Sequence, residues 1–115
     1  MKTHLKHSKK DIRTMKLNKD NLQKVKVEQL ANKNQFVITY VDGNKTLHCF
    51  QSYRYLVAVY DIEDKTLYVS WQYWDYSKTT SKHFKMFVNK FTPYTYDTKA
   101  QFIKEIKNNP HIELI

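Results

Sequence analysis

The apolar residues of this chain change period once, and that change limits the possible fold more than any other feature. Between residues 35 and 74 they recur at every second position, as half-buried strands require. From Thr80 they recur at i+4, i+7, i+8 and i+11, through Phe84, Phe87, Val88 and Phe91, as a single helix face requires. A sheet followed by helices selects an α+β domain over an alternating α/β one.

Residues 35–41 set Phe36, Ile38 and Tyr40 on one side and Val37, Thr39 and Val41 on the other. Asp42-Gly43 follows, with the only glycine of the 115 residues, so residues 45–50 are expected to return antiparallel. Residues 53–60 and 66–74 form the next pair around residues 62–65, and the first of these runs is apolar on both faces, as a central strand would be. Residues 24–30 alternate weakly through Val25 and Val27. The helix of residues 79–91 stops at Thr92-Pro93, because the residue before proline is pushed out of the α region. A second helix is expected from Asp97 as N-cap, through Ala100, Ile103 and Ile106, to Pro110, and residues 111–115 alternate as an edge strand would. The expected fold is an antiparallel β-meander of four to five strands packed by two C-terminal helices.

Charge divides the chain unevenly. Nine Lys and Arg in residues 1–30 face only Asp11, Asp20 and Glu28, so most of the formal +9 lies there. Residues 1–20, with Lys6, Lys9, Lys10 and Arg13, read as a basic N-terminal arm in which Ser8 could start a short helix, and residues 21–115 as one α+β domain. Eighteen of the twenty basic residues are Lys, in a chain also rich in Asn, Tyr, Ile and Phe; AT-rich codons favour all of these, which tempers charge as a sign of nucleic-acid binding. No window approaches 18 uncharged apolar residues, and the amino terminus has no apolar segment of signal-peptide length, so no membrane partner is expected. The single Cys49 cannot form an internal disulfide, in keeping with a reducing cytoplasm.

Catalytic patterns are thin. Asp75, Ser77 and His83 hold the elements of a hydrolase triad, but they fall within nine residues with no glycine near to form an oxyanion loop. His48 and Cys49 are strand neighbours on opposite faces and cannot share a metal. No glycine-rich phosphate loop exists, so neither a cofactor nor a metal is expected, and an enzyme is not. Binding is a better fit. Ser77, Thr79, Thr80 and Ser81 lie where a helix leaves amides unpaired, so their hydroxyls serve first as caps. Lys78, Thr79, Ser81, Lys82 and Lys85 then form a candidate anion or partner site. Tyr68, Gln72 and Trp74 share a mixed sheet face that could stack bases or contact a partner, and Trp74 with Tyr76 could instead anchor the strand to the helix.

The joint between sheet and helix reads Trp74-Asp75-Tyr76-Ser77-Lys78-Thr79-Thr80-Ser81-Lys82-His83. With Ser52-Tyr53 and the strand of residues 56–60, it resembles a family of small domains of unknown function from phages and plasmids of low-GC Gram-positive bacteria, which carry a W-D-Y-S-x-T-T-x-K-H-like turn. The likeness spans about residues 47–91. It implies a compact α+β fold and a mobile-element origin, and brings no catalytic residues. Two functions follow as expectations. One is an accessory or counter-defence protein, anti-CRISPR-like, that binds an acidic surface of a host protein or ribonucleoprotein. The other is a small basic DNA- or RNA-binding protein serving replication or transcription of the element. The oligomeric state is open.

Overall fold

A computed structural model describes residues 23–115. The arm of residues 1–20, with Lys6, Lys9, Lys10 and Arg13 and the short helix expected from Ser8, lies outside the described residues. The described residues form one six-stranded sheet: β1 (Gln23–Gln29), β2 (Gln35–Asp42), β3 (Lys45–Ser52), β4 (Tyr55–Asp61), β5 (Thr66–Val69) and β6 (Ile112–Leu114). Helices α1 (Lys78–Phe91) and α2 (Lys99–Asn108) lie between β5 and β6 in sequence. Strand order in space equals strand order in the chain, so β4 is internal, as expected. The first four pairings are antiparallel, and β6 adds parallel to β5.

Local chemistry sets the hairpins. Asp42 pairs with Lys45 across a two-residue loop whose first residue, Gly43, has φ 60°, the type II′ geometry that matches strand twist. Between β3 and β4 the loop is again two residues, but Tyr53 holds the positive φ (56°), a costly conformation for a bulky side chain. The β4–β5 turn is held by the buried Asp61 carboxylate. It accepts from Lys45 Nζ at 2.8 Å and from the Asp64 backbone N–H at 3.0 Å.

Alternation over residues 66–74 pointed to one long strand, but β5 stops at Val69. The Ser70 carbonyl accepts the N–H groups of both Tyr73 (3.1 Å) and Trp74 (3.0 Å), which turns the chain off the sheet. The second helix also starts later than expected. Thr98, not Asp97, is its N-cap, because Gln101 completes a reciprocal capping box with it. Its inward residues are Phe102 and the half-buried Ile106, while Ala100 and Ile103 face out.

One face of the sheet meets the helices. Val37, Phe50, Ala58, Val69 and Leu114 align across five strands in register, and Phe84, Phe87 and Val88 of α1 and Phe102 of α2 close over this face, all fully buried or nearly so. Each of these side chains except Ala58 contributes about 1.5–3 kcal/mol by leaving water. Phe91, half-buried, extends the stripe onto Phe87 and His48, with ring centroids at 5.7 and 5.2 Å. The opposite face carries a separate cluster of Leu47, Cys49, Val59 and Ile115, edged by Tyr40, Leu56 and Tyr68. Among the described residues no helix is long and apolar enough to cross a membrane.

Candidate functional site

The joint between sheet and helix is built from the inside outward. Trp74, 2% exposed, lies between Phe84 and Phe102 with ring centroids at 5.5 and 5.2 Å, and fixes the angle at which the chain leaves the sheet. Ser77 caps α1: its Oγ accepts the Thr80 N–H at 3.0 Å, and its hydroxyl donates to Thr80 Oγ1. Thr80 Oγ1 lies 2.8 Å from Ser52 Oγ, so a run of three hydroxyls, buried at Thr80 and Ser52, sews the helix start to the end of β3. His83, fully buried, donates from Nδ1 to the Thr79 carbonyl at 2.8 Å and accepts the Asn32 backbone N–H at Nε2, 3.2 Å away. That pair of bonds requires the neutral ring, protonated on Nδ1. His83 thereby ties the β1–β2 loop to α1, and the Tyr53 N–H, donating to the Asn34 carbonyl at 2.6 Å, ties the same loop to the β3–β4 turn.

Three loops thus converge at one end of the sheet, and two of them, the β3–β4 turn and the segment after β5, bring aromatic rings together there. Tyr55 and Tyr73 stack at 4.3 Å and 19°, and Tyr76 meets both edge-on, at 5.8 and 6.1 Å. The Arg54 guanidinium sits 5.6 Å from the Tyr55 ring centre. Tyr53 and Tyr76 are nearly half exposed, and Trp71, 41% exposed, stacks on Trp74 at 5.6 Å. Lys78 stands exposed in the first turn of α1, which holds no acidic residue, and Lys82 follows one turn on. The result is a partly exposed patch of four tyrosines with Trp71 and Arg54, residue types enriched in binding hot spots.

The residues expected from sequence divide between this patch and the interior. Lys78 and Lys82 are exposed and Thr79, Ser81 and Lys85 half-buried, all on α1. The cap itself is Ser77 rather than Thr79, whose carbonyl instead holds His83. Tyr68, Gln72 and Trp74 do not share a surface. Tyr68 lies in the cluster on the face opposite the helices, Gln72 is exposed in the turns after β5, and Trp74 is core, because the chain leaves the strand at Ser70. The anchoring role considered for Trp74 is the one it takes.

Ser77, His83 and Asp75 are each committed elsewhere, the last to Lys99 at 3.5 Å, and form no relay. His48 bonds Thr39 Oγ1 at 2.9 Å on the helix face, where burial lowers its affinity for a proton. Cys49 faces the other way, its thiol pKa pushed up to about 12 by burial, which leaves no reactive thiolate at neutral pH. Among the described residues no three His, Cys, Asp or Glu side chains are placed to hold a metal ion.

Alternation does not report that Tyr53, Arg54, Tyr55 and Tyr73 join one patch, although Tyr53-Arg54-Tyr55 is itself a signal: two aromatics flanking a cation where a hairpin turn is required. A model for a family of unknown function, DUF8033, matches residues 13–105, a wider span than residues 47–91. No curated protein and no solved structure matches the chain.

Proposed function

The chain belongs to this family of unknown function, and from that premise we propose that it is a non-enzymatic binding module. In this reading it docks the loop end of its sheet onto an acidic surface of a host protein or ribonucleoprotein. One observation carries the choice of a protein surface over bare nucleic acid: the tyrosine rings are stacked on one another. Tyr55 has Tyr73 parallel to it and Arg54 over its ring, while Trp71 lies against Trp74. Readers of single strands keep ring faces open for bases, whereas a protein interface uses ring edges and hydroxyls held in a preorganised block. Tyr53 at positive φ adds to this support, since a strained aromatic at an exposed turn is a cost that function can maintain.

Arg54, Lys78 and Lys82 supply the charge that steers the block toward acidic surfaces. The W-D-Y-S-x-T-T-x-K-H-like turn supports a setting on a phage or plasmid in the cytoplasm of a low-GC Gram-positive host. There a counter-defence role, anti-CRISPR-like, fits a small basic module that engages a nuclease already carrying its guide RNA.

The test is affinity capture of the tagged full chain from a host lysate, with and without nuclease, beside an Arg54→Glu/Tyr76→Ala variant of equal stability. A protein that survives nuclease treatment and is lost with the variant supports the reading. Loss of every partner on nuclease treatment would replace it with the nucleic-acid reading. Equal capture by both chains would move the interface elsewhere.

A further inference from the structure

β1 is an open edge. Among the described residues it pairs with β2 alone, and α1 packs mainly over β2, β3 and β4. Val25 and Val27 are 56% and 53% exposed, more than any other large apolar side chain of the described residues. A strand in this position offers a row of unpaired N–H and C=O groups to any extended segment that matches it. Its charges are ordered Lys24, Lys26, Glu28. Lys26 and Glu28 stand opposite Thr39 and Val37 on the helix face, 3.6 Å apart, and Val27 stands opposite Ile38 on the other face.

We propose that β1 pairs antiparallel with β1 of a second copy of the chain, about a two-fold axis through Val27, to make one continuous sheet. Charge selects both the occupant and the register. Val25 falls in a register shift between Lys24 and Lys26, which oppose the adjacent Tyr40 and Thr39, so no regular pairing centres on it, and an axis at Lys26 or Glu28 would set a like charge against itself. Only the axis at Val27 places Lys26 opposite Glu28 of the partner subunit, twice by symmetry, with valine against valine between them. Offsets by one residue would oppose helix-face to outer-face side chains and break the continuity of both faces. With the axis at Val27 the helices of both copies lie on one side, each α1 packed mainly over its own β2, β3 and β4. The interface is a single strand pair, so the association is weak and concentration-dependent. The formal charge of +9 opposes it at low ionic strength.

The test is sedimentation equilibrium of the full chain at about physiological salt, where the Debye length is about 8 Å, over a hundredfold range of concentration. The wild-type mass should rise from one chain toward two. Lys26→Glu and Glu28→Lys should each remain monomeric, with circular dichroism melts verifying that both fold. The double swap Lys26→Glu/Glu28→Lys should associate again. An equal mixture of the two single variants should form a mixed dimer, identified by native mass spectrometry with one chain tagged, because its two cross-pairs are again Glu against Lys. A wild-type chain that stays monomeric, single variants that associate like wild type, or a mixture that fails to pair would each overturn the proposal. The last two results would assign any association to another surface or to a different occupant of the edge.

Discussion

Replacing Trp74 with Ala should cost more than any other single substitution at the joint, and the structure allows the amount to be worked out. The indole is 2% exposed and touches Phe84, Phe102 and Trp71, so the change forfeits its transfer free energy and opens a cavity among aromatic rings that cannot collapse far. Together these are worth about 3–5 kcal/mol, against a total of about 5–15 kcal/mol for a domain of this size. At about 4–8 °C per kcal/mol, the midpoint should fall by tens of degrees. Trp71, stacked on the outer side and 41% exposed, should cost only about 1 kcal/mol. The two are the only tryptophans of the chain, which makes fluorescence a direct assay. In Trp71→Phe the remaining emission comes from Trp74 alone, and it should be blue-shifted and resistant to iodide until urea unfolds the domain. Should Trp74→Ala fall within about 0.5 kcal/mol of wild type, a margin typical of surface changes, or should iodide quench Trp74 freely, the indole would belong to the surface and the account of the joint would fail.

Gly43→Ala should lose about 1 kcal/mol in urea titrations, all of it from the backbone, since φ is 60° and an added Cβ meets nothing within 4 Å; no loss would mean the turn is not type II′. Stability should fall as pH drops through about 6.5: burial lowers the folded pKa of His48, so the unfolded chain takes up the proton first, the contribution is complete above the unfolded value, and it is lost toward the folded one. Denaturation at pH 7.5, 6.5 and 5.5 measures that slope, and His48→Gln should flatten it; an unchanged slope would assign it to another group. Ser77→Ala should cost about 0.5–2 kcal/mol as a lost cap, while Lys78→Glu with Lys82→Glu should stay within about 0.5 kcal/mol of wild type. Thermal melts of the two variants side by side distinguish cap from surface charge, and equal losses would contradict the assignment.

Where one local rule acts without a rival, sequence and structure agree. Phe84, Phe87 and Val88 had no competing face, and Gly43 was the one position at which a positive φ came free. Disagreement arises where two local rules compete. Leu67, Val69, Trp71 and Tyr73 alternate as well as any strand, but the Ser70 carbonyl closes a turn that no period reports, and it carries Trp74 into the core. Asp97 and Thr98 are both good caps, and only the Gln101 side chain, reaching back to the Thr98 N–H, decides between them. Gln35 reads as a polar strand end, yet it is fully buried on the helix face, level with Ser52. The aromatic patch was illegible for a different reason: Tyr55 opens β4 and Tyr73 lies in the turns after β5, and their stacking depends on two turns whose geometry is tertiary.

The parallel placement of β6 orders events during synthesis. As the chain leaves the ribosome, each of β2 to β5 finds its partner already made and adjacent, so the meander can assemble behind the exit tunnel by closing short loops. The last strand has no such neighbour. It must return past two helices to an edge that has stood open since Val69 emerged, where the Leu67 N–H waits for the His111 carbonyl and the Ile115 N–H for that of Val69. Ile112 and Leu114 then fill the helix side of the core. A nascent chain arrested before Ile112 therefore carries its two helices over a sheet that still lacks β6, with the core short of Ile112 and Leu114.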